Sequence, residues 1–164
     1  FGLMQSSLPS AETIGEHVDH YRKFMKEAPT PLNQNPAFGE VDVVRMVYVA
    51  PTDAKAKEES QAGIVHHMKS FMGAGTGGYL GDVTEKKDED QFAYDALAKT
   101  TILHGSPDTV IRRIEEFRAV GTTSIMLHYP PYYGVQQTLD MLRLFAEEVL
   151  PHVQSMPSVR LSAA

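Results

Sequence analysis

The sequence has no cysteine. Disulfides, cysteine-ligated zinc and thiol nucleophiles are excluded, and a reducing cytoplasm is the compartment this composition fits. A run of about 18 apolar residues is also missing, so no membrane-spanning helix is expected. The opening Phe1-Gly2-Leu3-Met4 lacks the basic region and cleavage site of a signal peptide. A first residue other than Met points to a processed or cut polypeptide. Basic residues are in deficit, 15 Lys and Arg against 21 Asp and Glu, for a net charge of −6. They are scattered rather than gathered in a stripe, which argues against nucleic acid, because phosphate contacts need a basic face.

The 164 residues, 42% apolar and 22% charged, suffice for one domain with its own core. Residues 1–7 read as a short strand. Ser10 caps a helix over 11–27, where Ile14, Val18, Tyr21 and Met25 recur at helical spacing. Prolines 29, 31 and 36 make 28–39 a loop. Val-rich 41–50 is a strand stopped by Pro51, followed by a helix over 52–72. Gly-rich 73–82 and charged 83–91 read as loop, 92–100 as a short helix, and 100–105 as an extended apolar piece. Ser106-Pro107 opens a helix with Val110, Ile114 and Phe117 inward and Gly121 at its end.

The apolar centre of 122–129 predicts a strand covered on both faces. Val135, Leu139, Leu142, Phe145 and Val149 define the inner face of a last helix ended by Pro151, and 154–164 reads as a loose tail. Alternating strands and helices predict an α/β fold with a parallel sheet. Three strands would leave hydrophobic edges open, so part of the fold is expected to lie elsewhere.

Several residues invite chemistry. Gly73-Ala-Gly-Thr-Gly-Gly78 matches a nucleotide-binding pattern, but a helix precedes it and a charged run follows, the wrong context. His17 and His20 have a metal-compatible spacing, with a solvated helix face as the plainer reading. His66 and His67 are adjacent, so they are expected to point apart. His104 is assigned a structural hydrogen bond. Arg45, inside an apolar strand, is expected to snorkel or to meet an acid.

Residues 104–130, "HGSPDTVIRRIEEFRAVGTTSIMLHYP", with "LRLFAEEVLPHV" and "VYVAPTDAKAKEES", resemble the C-terminal end of luciferase-like flavin-dependent monooxygenases. The resemblance runs over about 1–153 and implies a partial TIM (β/α)8 barrel. In it 1–7, 41–50 and 122–129 are the sixth, seventh and eighth strands, and 73–91 is a lid-like insert after the seventh. It implies an oxidoreductase that uses reduced FMN, or the deazaflavin F420, and O2 to oxygenate a small organic substrate. A flavin reductase and a homo-oligomer are the implied partners. This chain alone is expected to be inactive, and a short non-catalytic flavin-binding or oligomer-forming relative is the alternative.

The strand ends then form the active-site mouth. Tyr129 falls where alkanesulfonate monooxygenase has an active-site tyrosine and is the catalytic candidate. Gln5, Ser6 and Ser7 are cofactor-binding candidates, the alternative being turn chemistry before Pro9. Met46, Tyr48, His128 and Tyr132 are substrate-binding candidates; Tyr132 and Tyr133 either cover substrate or simply pack. Val44 and Met46 stand where the sulfonate enzyme has Arg and His, so a hydrophobic substrate is expected. No metal site is expected.

Overall fold

The computed structural model describes residues 2–27, 37–73, 92–130, 132–157 and 159. The elements in chain order are β1 (Leu3–Gln5), α1 (Ala11–Glu27), β2 (Val41–Val49), α2 (Asp53–Gly73), α3 (Tyr94–Thr100) and β3 (Leu103–Gly105). They continue with α4 (Pro107–Ala119), β4 (Ser124–His128), α5 (Val135–Leu144), a π-helical turn (Phe145–Val149) and α6 (Leu150–Ser155). The lid expected over 73–91 falls outside the described residues except for Gly73, the end of α2.

All strand pairs are parallel, with β2 central. β1 pairs with its first residues, Leu3 against Val41 and Gln5 against Val43. β4 runs along it from Asp42–Ser124 to Met46–His128. β3 joins its last part, Val47–Leu103 to Val49–Gly105. The extended piece expected at 100–105 is therefore a fourth strand.

Side chains alternate across a pleated strand, and the two faces differ sharply. Val41, Val43 and Val47 are fully buried in one cluster with Ile14 and Val18 of α1, Val110 and Phe117 of α4, and Val149. The opposite face carries Met4, Val44 and Met126, of which Met4 and Met126 are 68% and 59% exposed, together with Asp42 and Ser124, whose side chains are hydrogen-bonded to each other. Only its upper end is covered, where Met46 packs against Ile64 and Met68 of α2. The expectation that 122–129 is buried on both faces is thus corrected. β4 packs through Ile125 and Leu127 alone, because nothing among the described residues lies over Met126.

Two more expectations change. The chain stays helical past Pro151 to Ser155. A proline lacks the N–H of a regular helix and crowds the carbonyl four residues back. The π-turn before it widens the ring, with Leu150 N–H donating to Phe145 O, five residues back. That extra residue also offsets the helix face by about 100°. The expected inner stripe is also split: Met141, Phe145 and Val149 are buried, whereas Val135, Leu139 and Leu142 are exposed. Beyond α6, the Arg118 guanidinium donates to Pro157 O at 3.0 and 3.2 Å, fastening the start of the expected tail to α4.

Arg45 is the largest fully buried side chain. It meets no acid. It donates to the carbonyls of Ser6 (2.8 Å), Val44 (2.6 Å) and Pro9 (2.6 Å) and lies 4.2 Å over the Phe117 ring.

Gly63 sets the fit of α2 on the chain after β4. A Cβ there would lie 2.6 Å from Cε1 of the buried Tyr133 ring, whereas one at Gly134 meets nothing within 4 Å. Gly63→Ala is expected to lose about 1–2 kcal/mol of stability by overpacking, even after its gain in helix propensity. Gly134→Ala should stay within about 0.5 kcal/mol. Denaturant titration of both variants checks this; equal midpoints would refute the contact.

Candidate active site at the strand ends

Parallel strands deliver their C-terminal ends to one side of the sheet. Ser6-Ser7, the end of β2, and His128-Tyr129 therefore meet at one mouth, above the exposed apolar face. His128 stands in register with Met46 and is exposed. Tyr129 and Tyr132 are 44% and 48% exposed.

α2 closes over this mouth and brings two residues that sequence reasoning set aside. His66 meets Tyr132 edge to face at 4.6 Å between centroids, and His67 lies 6.0 Å from Tyr132 and 5.8 Å from His128. Adjacent helical residues do diverge, but the Tyr132 ring reaches both. No local pattern announces this, since it depends on where α2 crosses the chain after β4. Partial burial, with the charges of His128 and His66 nearby, holds the His67 pKa below the ordinary histidine value. His67 therefore favours its neutral form.

The other expected site residues divide. Ser6 is exposed and Ser7 half-buried, and the Arg45 guanidinium holds the Ser6 carbonyl. Met46 is under α2 at the top of the open face. Gln5 lies on the other side: in register with Val43, it is buried and its Oε1 is 3.0 Å from His17 Nδ1 of α1. Tyr48 is 1% exposed and lies beneath α2, where its hydroxyl donates to Glu59 at 2.9 Å. Burial is the main reason its pKa is pushed up to about 12. Its ring meets Tyr133 at 5.0 Å, and Tyr133 is buried, so of the adjacent tyrosines 132 and 133 only the first reaches the mouth.

Behind Tyr48 lies a buried polar knot. Ser60 Oγ donates to Ala56 O at 2.6 Å and is 2.9 Å from His104 Nδ1. With the serine proton committed to Ala56, His104 Nδ1–H donates to Ser60 and Nε2 keeps its lone pair. The structural hydrogen bond expected of His104 is this one. Complete burial pushes its pKa down to about 3, so the ring is neutral.

The fold and mouth define an α/β arrangement in which a parallel sheet presents an open apolar face below a histidine–tyrosine rim. Solved structures with this fold include the monooxygenase RslO1 from Streptomyces bottropensis, at 22% identity over 93% of this chain and 42% of that one, with a TM-score of 0.67. A second is the FMN complex of a type II Baeyer–Villiger monooxygenase, the oxygenating constituent of 3,6-diketocamphane monooxygenase from Pseudomonas putida. It matches at 22% identity over 93% of this chain and 43% of that one, with a TM-score of 0.66. A third is the coenzyme F420-dependent tetrahydromethanopterin reductase of Methanopyrus kandleri, at 18% identity over 88% and 43%, with a TM-score of 0.55. The likeness to luciferase-like enzymes is thus met at the level of fold, and the chain spans less than half the length of these structures. No protein-family model and no curated protein matches it.

His104 makes stability pH-dependent. Unfolded, it takes up a proton near the ordinary value of about 6.5; folded, it does so only near about 3. The unfolded state binds more protons between these values, so stability falls as pH drops through that window, at up to about 1.4 kcal/mol per pH unit. His67 acts in the same direction. Denaturant titrations between pH 7.5 and 5 should show the loss and His104→Gln should flatten it; an unchanged slope in that variant would contradict the assignment.

Proposed function

We propose that this chain is the C-terminal portion, over 1–153, of a TIM-barrel flavin-dependent monooxygenase that oxygenates a small hydrophobic substrate. One observation carries the reading: the sheet face of Met4, Val44 and Met126, with the Asp42–Ser124 pair at its lower end, lies open below the His128–Tyr132 rim. A face of this kind is the inner wall of a barrel whose other strands are elsewhere. The free edges of β1 and β4 among the described residues, and the exposed stripe Val135, Leu139 and Leu142, support the same view.

A flavin or deazaflavin ring suits these residues. The apolar wall offers a flat surface to the ring, and Ser6 and Ser7 offer hydroxyls at its edge. Gln5 is withdrawn from this role by its contact with His17. Bound and reduced, the cofactor would supply the electrons that activate O2. The Tyr129 hydroxyl would donate to a substrate oxygen as charge develops there. His128 and Tyr132 would line the substrate site, neutral His67 would hold Tyr132 and His128 in place, and α2 would keep water from the reacting centre. A flavin reductase is the natural source of reduced cofactor.

The exposed stripe on α5 also favours a second reading, a short non-catalytic relative closed by a second copy of itself.

The test supplies reduced FMN and O2 to the protein made from its native gene, with a cyclic ketone, a long-chain aldehyde or a short sulfonate. Oxygenation of ketone or aldehyde is expected, and Tyr129→Phe should lower kcat about 10–100-fold with little change in KM. Efficient desulfonation would sink the hydrophobic-substrate assignment. Absence of any oxygenation with reduced FMN or F420 would sink the monooxygenase reading.

A further inference from the structure

We propose that the cavity between α4, β4 and the C-terminal helical segment binds a small amphipathic carboxylate, a short apolar chain headed by one negative charge. The sheet separates this cavity from the open face, because Ile125 and Leu127 of β4 line it and Met126 points the other way. Its volume is about 240 Å³. Drug-sized ligands occupy about 300–1,000 Å³, so the guest here is smaller. The walls are mainly apolar, with Ile114, Phe145, Leu150 and Val153 beside the two β4 residues. Ile114 and Phe145 belong to the main core, whereas Leu150 is 37% exposed, so the cavity joins the core to the surface. Side chains around a void lose packing contacts, and an apolar guest restores them.

The head group follows from charge. Among the described residues Arg118 is the only charged side chain on these walls. It is half-buried, and its Nε and Nη2 converge on one acceptor, Pro157 O, at 3.2 and 3.0 Å. Pro157 lines the cavity too. These are long bonds for a guanidinium, whose contacts to an anion run at about 2.7–2.9 Å. No carboxylate pairs with Arg118 among the described residues, and its Nη1 has no hydrogen-bond partner and is not sealed from solvent. Nη2 carries a second N–H on the side of Nη1. That edge is therefore a planar fork left unfilled by the protein, the arrangement that meets both oxygens of a carboxylate. A phosphate would find no second cation here, and an ammonium head would meet the guanidinium with like charge.

The experiment titrates the full chain with sodium hexanoate, hexanol or sodium acetate at matched ionic strength. NMR follows the methyl groups of Ile114, Ile125 and Leu127 and the Arg118 Nε–H, with the methyl groups of Met4 and Met126 reporting the open face. Saturable hexanoate shifts at the cavity signals are expected. Hexanol has the chain without the charge and should bind about five- to tenfold more weakly, while acetate, with the charge and almost no chain, should not saturate. Arg118→Gln should lower hexanoate affinity about five- to tenfold and leave that of hexanol unchanged. Arg143→Gln on α5 should change neither. Comparing hexanoate with hexanol in the unaltered chain decides the matter even if Arg118→Gln does not fold. The proposal is overturned by hexanol binding as tightly as hexanoate, by acetate saturating the same signals, or by shifts that appear only at Met4 and Met126. Full hexanoate affinity in a folded Arg118→Gln chain would overturn it too.

Discussion

A guanidinium at the centre of the molecule holds the rest in place. Arg45 is fully buried on the helix-facing side of β2 and is paired with three carbonyls instead of an acid. Burial, with Arg113 nearby, lowers its pKa only to about 10, so it stays charged at neutral pH. Two of its carbonyls, Ser6 and Pro9, belong to the connection between β1 and α1. A charge in the interior is tolerated only when hydrogen-bonded, and here that requirement dictates the path of the connection. It fixes where α1 begins and where Ser6 and Ser7 emerge at the strand ends. Phe117, stacked beneath the same group, ties α4 into the arrangement.

From this anchor the two faces of the sheet take opposite roles. Helices α1 and α4 and the C-terminal helical segment cover one. The other keeps methionines in the open, with parallel strands on which every C-terminal end points the same way. A sheet with one covered and one open face supplies a wall and a rim. The chain spans less than half of the structures that share its fold.

α2 completes the rim. Gln137 Nε2 donates to Glu59 O at 2.9 Å, Glu59 accepts from Tyr48, Ser60 is joined to His104, and Gly63 admits Tyr133. These contacts set the rotation of α2, and that rotation carries His66 and His67 to Tyr132 and His128. The same seating hides Tyr48, which had seemed fit to touch substrate.

Helices and strands were largely legible in the sequence because their signals are local. Ile14, Val18 and Met25 mark α1 by spacing, the valines of 41–49 mark β2, and Ser106-Pro107 caps α4 through a bond from Thr109 N–H to Ser106 Oγ. Parallel topology also followed from alternation alone, whereas the mouth at His128 and Tyr129 was expected only through the resemblance to a barrel family. What the sequence could not decide were facts about relative placement. The π-turn that carries the helix through Pro151, the partner of Arg45, the side taken by Gln5 and the gathering of His66, His67 and Tyr132 all depend on contacts between distant residues. Local periodicity determines which side chains can face a core, because it is a property of the backbone. Which group each then meets is a property of packing, and only the tertiary structure decides it.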